Sequence, residues 1–83
     1  MLEFEINLRS FQEIQEFIAL ASEQRFPVLV CSATDQVNAQ SLMSMMTLDY
    51  RSPLRVQADC DRESFSRFRQ QAEKFLTKPN SAL

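Results

Sequence analysis

The feature that most constrains this chain is an alternation. Leu2, Phe4, Ile6 and Leu8 are apolar, and Glu3, Glu5 and Asn7 between them are polar. Successive side chains on a strand point to opposite faces, so Met1–Leu8 reads as a strand with one buried face and one wet face. Leu54, Val56, Ala58 and Cys60 alternate with Arg55, Gln57 and Asp59 in the same way. Between these strands the period changes. Phe11, Ile14, Ile18 and Ala21, with Phe17 at the margin, recur at helical spacing. Phe65, Phe68, Ala72, Phe75 and Leu76 form a second helical stripe. One-sided strands and helices with a single apolar stripe pack as two layers. The expected fold class is therefore α+β: a two-layer open-faced sandwich, with a four-stranded antiparallel sheet and three helices on one face.

The boundaries follow from local chemistry. Ser10 and Glu13 have the spacing of a capping box, with Glu13 placed to reach the backbone N–H of Ser10. The first helix runs from Phe11 to about Gln24, and Pro27 blocks its continuation. Val28–Ala33 is a β-branched, apolar strand. Thr34, Asp35 and Gln36 form a reversal without the glycine that a tight hairpin favours. Val37 and Ala39 share one face of a short returning strand. Asp49–Pro53 is turn-like, Asp61 caps the last helix, and Pro79 closes it before a loose tail, Asn80–Leu83. The element order is strand, helix, strand, strand, helix, strand, helix. The open sheet face is expected to be polar, carrying Glu3, Glu5, Arg55, Gln57 and Asp59, with Leu29 and Cys31 as apolar exceptions.

The second helix is the most informative stretch. In Asn38–Leu48, Ser41 stands where an N-cap belongs, and a Leu and three Met follow. Over about two helical turns, Met45 and Leu48 share one face while Leu42, Met43 and Met46 share another. So short a helix cannot bury both faces, so Leu42, Met43 and Met46 are expected to be more exposed than Met45 and Leu48.

Size and composition exclude a good deal. A chain of 83 residues suggests a single domain, 1–83, with a compact core. There is no histidine, which removes the usual general base near neutral pH and the commonest metal ligand. There is no glycine, which excludes a Walker loop and a dinucleotide fingerprint. No carboxylate pair stands out as acid and base, and no metal or cofactor is expected. Arg62, Arg67 and Arg69 face different directions and read as a solvated surface. The net charge of −2 argues against nucleic acid as a partner. No apolar run could span a membrane, and the acidic start does not read as a signal peptide, so a cytoplasmic location is expected. Cys31 and Cys60 lie on opposite sheet faces and are expected to be free thiols, Cys60 buried and Cys31 partly exposed.

The element order and the stretch Val37–Leu48 together resemble HPr, the histidine-containing phosphocarrier protein of the bacterial sugar phosphotransferase system. That family has a short strand, a regulatory serine and a Met-containing short helix at this place. Ala21-Ser22 and the spacing from Leu48 to the Leu54–Cys60 strand also fit. The departure is at the active site. The family carries its phosphorylatable histidine in a Gly-x-His-Ala-Arg-Pro-like segment before the first helix. Here the matching segment is the shorter Asn7-Leu8-Arg9-Ser10-Phe11. The resemblance implies a non-enzymatic, HPr-like regulatory module that binds other proteins, such as a serine kinase or a transcriptional regulator. It makes Ser41 a phosphorylation candidate, and Leu42, Met43, Met46, Arg9 and Ser10 candidates for partner contact. A phosphate at Ser41 would sit at a helix start, where negative charge is favoured. Two other classes stay open: a phosphoryl carrier using Ser10 or Ser41, and a small ligand-binding or oligomerisation module unrelated to sugar transport.

Overall fold

The computed structural model describes residues 2–77. Met1, Pro79 and the tail expected at Asn80–Leu83 lie outside the described residues. The elements follow as β1 (Leu2–Ile6), α1 (Phe11–Ser22), β2 (Val28–Cys31), β3 (Gln36–Asn38), α2 (Leu42–Met45), β4 (Leu54–Ala58) and α3 (Arg62–Gln71). The strands form one antiparallel sheet in the order β1-β4-β2-β3. The connection β1-α1-β2 therefore skips one sheet position, which β4 later fills. The three helices cover one sheet face, and the fold is the open-faced α+β sandwich that the alternation predicts.

Register sets the core. Phe4 pairs with Val56, Ile6 with Leu54, Val28 with Ala58 and Val30 with Val56, and all of these are buried. Above this inner face lies an aromatic cluster centred on Phe68 of α3. Its ring stands 5.5 Å from Phe4, 5.7 Å from Phe26 and 6.2 Å from Phe17 between centroids. Phe17 also meets Phe75 edge-on at 5.6 Å. Tilted and edge-to-face pairs like these add about 0.5–1.5 kcal/mol each beyond the area they bury. Among the described residues, no polar or charged residue belongs to the buried set.

Several expectations need correction. On α1, Phe17 is fully buried and Phe11 is exposed, the reverse of their expected weights. Phe11 is the first helical residue, where the chain is still rising out of the loop. Glu13 does reach back, but to the Arg9 backbone N–H at 2.7 Å rather than that of Ser10, while Ser10 Oγ accepts from Glu13 N–H. The reversal after β2 comes earlier than expected, at residues 32–35. Ser32 Oγ accepts from the N–H groups of Thr34 and Asp35, and Ser32 N–H donates to the Asp35 carbonyl. That hydroxyl closes a hairpin without glycine.

The last helix also ends early. α3 stops at Gln71, a 3-10 turn follows at Glu73–Phe75, and Leu76 bridges to Ile6 of β1. Asn7 N–H donates to the Phe75 carbonyl, and Thr77 N–H to the Glu5 carbonyl. Phe75 and Leu76 thus join the core by lying against the β1 edge, not by extending the helix.

The two cysteines are both free, but their burial is inverted. Cys31 is buried and Cys60 half-buried. β4 ends at Ala58, so the alternation no longer governs Cys60, which lies in the turn into α3. Burial pushes the Cys60 thiol up, helped by the charges of Asp61 and Asp59. Cys31 lies on the open face by register, opposite Gln36 on one side and Arg55 on the other. Gln36 Nε2 donates to Gln57 Oε1 at 2.7 Å across that face, and Gln57 Nε2 donates to Glu3 Oε2. Long polar side chains of this kind shield apolar neighbours beneath them.

α2 is a single turn and shorter than predicted. The chain after it tightens through Thr47 N–H to the Ser44 carbonyl and Leu48 N–H to the Met45 carbonyl. Tyr50 then folds back, its hydroxyl donating to the Met45 carbonyl. Partial burial pushes the Tyr50 phenol from its ordinary 10.0 up to about 12.

Two outcomes follow from this packing. Phe68→Ala should lower unfolding free energy by about 3–5 kcal/mol in denaturant titration, because it opens the cluster, while exposed Phe11→Ala should change it by less than about 1 kcal/mol. Tyr50 binds its proton more tightly when folded, so its contribution is complete below pH 10 and is lost as pH rises toward about 12. Melting followed across that window should fall for the native chain and fall less for Tyr50→Phe.

Candidate functional site

α2 is held at three points. Ser41 Oγ accepts from Ser44 N–H at its start. Gln40 Nε2 donates to the Ala21 carbonyl near the end of α1. The Tyr50 hydroxyl binds the Met45 carbonyl at its other end. Met45 and Leu48 point into the core, at 0% and 6% exposure. Leu42, Met43 and Met46 are 41%, 83% and 51% exposed, the split that helical spacing predicts. The outcome is a small apolar face on an element clamped from beneath.

Arg9 and Ser10 lie at the opposite end of α1, in an open groove of about 350 Å³ lined also by Phe11, Ile14, Tyr50 and Arg51. Both are exposed. Ser10 is engaged as the N-cap of α1. Arg51 is held by Asp49 through two contacts of 3.0 Å, Nε to Oδ1 and Nη2 to Oδ2. This fork holds the Asp49 carboxyl down at about 2. The pair is internally neutral; Arg9 forms no salt bridge among the described residues, and the Glu13 carboxylate accepts from its backbone N–H rather than its guanidinium.

Tyr50 joins the two halves. Its ring lines the groove and its hydroxyl holds the end of α2. The structure thus places Arg9 and Ser10 in one groove, and Leu42, Met43 and Met46 on the helix that Tyr50 tethers. Ser41 is half-buried at the far end of that helix. Because α2 is one turn long, little macrodipole supports charge at Ser41, contrary to the reading of a longer helix. Three residues of the region were missed by sequence reasoning. The helical stripe places Phe11 in the core, and the polar segment Asp49–Pro53 places Tyr50 and Arg51 in a turn. An aromatic within a polar turn was the available signal for Tyr50, since a Tyr ring seeks burial and its hydroxyl a partner.

Chemically, the groove and helix face offer a guanidinium, two capping hydroxyls, aromatic rings and thioethers. Among the described residues, no group of three or more Cys, Asp or Glu side chains is placed to hold a metal ion. Among the same residues, no helix is long and apolar enough to cross a membrane.

No protein-family model matches the sequence. No curated protein matches it either. Among solved structures the chain is similar to the crystal structure of HPr-C-His from Thermoanaerobacter tengcongensis, with a TM-score of 0.69 and 21% identity over 100% of both chains. The chain has the HPr fold, carried by a sequence without a histidine.

Proposed function

We propose that this chain is a non-catalytic, HPr-like regulatory module of phosphotransferase-system type in the bacterial cytoplasm. It binds other proteins through the exposed face of α2 and the groove at the start of α1, and phosphorylation of Ser41 modulates that binding. The observation that carries this reading is the division of α2. Met45 and Leu48 satisfy the core, yet Leu42, Met43 and Met46 remain in water. Apolar side chains gathered in water on one helix face suit an interaction site. Met suits such a patch because it is flexible and polarizable.

The carrier role is set aside on chemical grounds. A phosphohistidine is a good phosphoryl donor, whereas a serine phosphoester is stable. Replacing one by the other gives a mark that persists, which suits a signal rather than a relay. At Ser41, a phosphate would keep oxygens able to accept the Ser44 N–H while adding about two negative charges beside Leu42 and Met43. The partner classes are those the resemblance implies, a serine kinase that writes the mark and a transcriptional regulator that reads it.

Purified protein, an HPr serine kinase and ATP should give phosphate on Ser41 by mass spectrometry and none on Ser41→Ala. In titration with an HPr-binding transcriptional regulator, Met43→Asp combined with Met46→Asp should weaken binding at least about tenfold, or about 1.4 kcal/mol, with the melting temperature unchanged. Phosphoenolpyruvate with the first enzyme of the phosphotransferase system should leave no label. Rapid, transferable labelling would instead make the chain a carrier.

A further inference from the structure

Three methionines fall within α2 and the residue after it, and their sulfurs meet water to very different degrees. Met43 is 83% exposed, Met46 is 51% exposed and Met45 is fully buried. Thioether oxidation follows access, because the sulfur lone pair must reach the oxidant. We infer that Met43 and Met46 form a peroxide-sensitive pair whose oxidation makes the α2 face polar at two of its three apolar positions, leaving Leu42, without disturbing the fold. The regulatory consequence, loss of partner binding under oxidative conditions, rests on the docking reading given above.

The step is a two-electron oxidation by hydrogen peroxide or an organic hydroperoxide. The sulfur lone pair attacks one peroxide oxygen, the O–O bond breaks and an S–O bond forms. The departing oxygen takes up the proton as water or alcohol. Sulfur is oxidised and the peroxide reduced. Two thiols reverse the change through a methionine sulfoxide reductase, giving thioether, disulfide and water. The product side chain is polar and hydrogen-bonding, so an apolar contact at Met43 or Met46 becomes a desolvation penalty for any partner.

Among the described residues, the surroundings favour these sulfurs over the other soft groups. Cys31 is buried. Cys60 is half-buried beside Asp59 and Asp61, and its scarce thiolate is the form that peroxide attacks. Met45 is sealed between the core and the Tyr50 tether, so the helix keeps its anchor while its outer face changes. Leucine would serve an apolar face equally well in size, but it has no sulfur to oxidise.

Among the three methionines of the α2 region, graded peroxide followed by peptide mass mapping should add one oxygen first at Met43, then at Met46, with Met45 reacting at least about tenfold more slowly. The melting temperature should move by no more than about 2 °C, and retention on a hydrophobic-interaction column should fall. Sulfoxide reductases with dithiothreitol should restore retention. The Met43→Leu, Met46→Leu double variant should keep its retention after the same treatment. Oxidation of Met45 in step with its neighbours, unfolding on oxidation, or an unchanged column retention would each overturn the inference. These readouts need no partner. If they come out as expected and no regulator binds the reduced protein, the docking reading falls and the sulfoxide pair stands. A regulator that binds reduced and oxidised protein equally would overturn the switch.

Discussion

The structure depends on a sheet with only one face to bury. Phe4, Ile6, Val28, Val30, Leu54 and Val56 line that face, and Phe68 is set over it against three other rings. Two helices and a 3-10 turn nearly complete the cover, which leaves α2 a narrow share of the core. A four-residue helix is far below the length that sustains itself in water. It persists because a serine cap, a glutamine from the preceding loop and a tyrosine hydroxyl hold it from three sides. The same arithmetic leaves its outer side bare. One turn can point only so many side chains inward, and Met45 supplies what the core can take.

A chain without glycine must turn by other means. No described residue takes a positive φ. Side-chain oxygens take over at the reversals instead. Ser32 closes the hairpin, Asn38 Oδ1 accepts from Gln40 N–H before α2, and Asp49 Oδ1 accepts from Arg51 N–H after it. Ser10, Ser41 and Asp61 cap the three helices. Short polar side chains that accept from nearby backbone N–H groups mimic a turn without left-handed geometry. The loops around α2 are therefore determined by specific bonds, and the exposed face they present is held in place.

Much of this was legible in the sequence, because period and capping are local. The strand alternation, the three caps and the inward and outward sides of α2 all follow from spacing alone. What was not legible was non-local. Alternation placed Cys60 inside, but β4 ends two residues earlier, so the parity lapses. Cys31 does lie on the open face, opposite Gln36 and Arg55, yet it is buried there, and no local pattern announces the Gln36–Gln57 bond across that face between residues 21 positions apart. Phe75 and Leu76 fit a helical stripe and a strand bridge equally well, and only contact with β1 decides between them. At the candidate site, the exposed thioethers were foreseen, whereas Tyr50 and Arg51 were not, since their roles depend on where a turn folds back.

The exposed face of α2 and the fold beneath it are physically separable. Leu42, Met43 and Met46 supply none of the buried core, so polar side chains there would leave Phe68 and its neighbours untouched. Their identity therefore has no account in folding stability. The start of α1 is likewise independent of any imidazole. The segment before α1 is shaped by the Ser10 cap and the Arg9–Glu13 bond, and neither needs a histidine to form. The HPr fold can thus form in a chain without histidine, because core and surface draw on different residues. The outer residues of α2 can therefore change in polarity without changing the core that carries them.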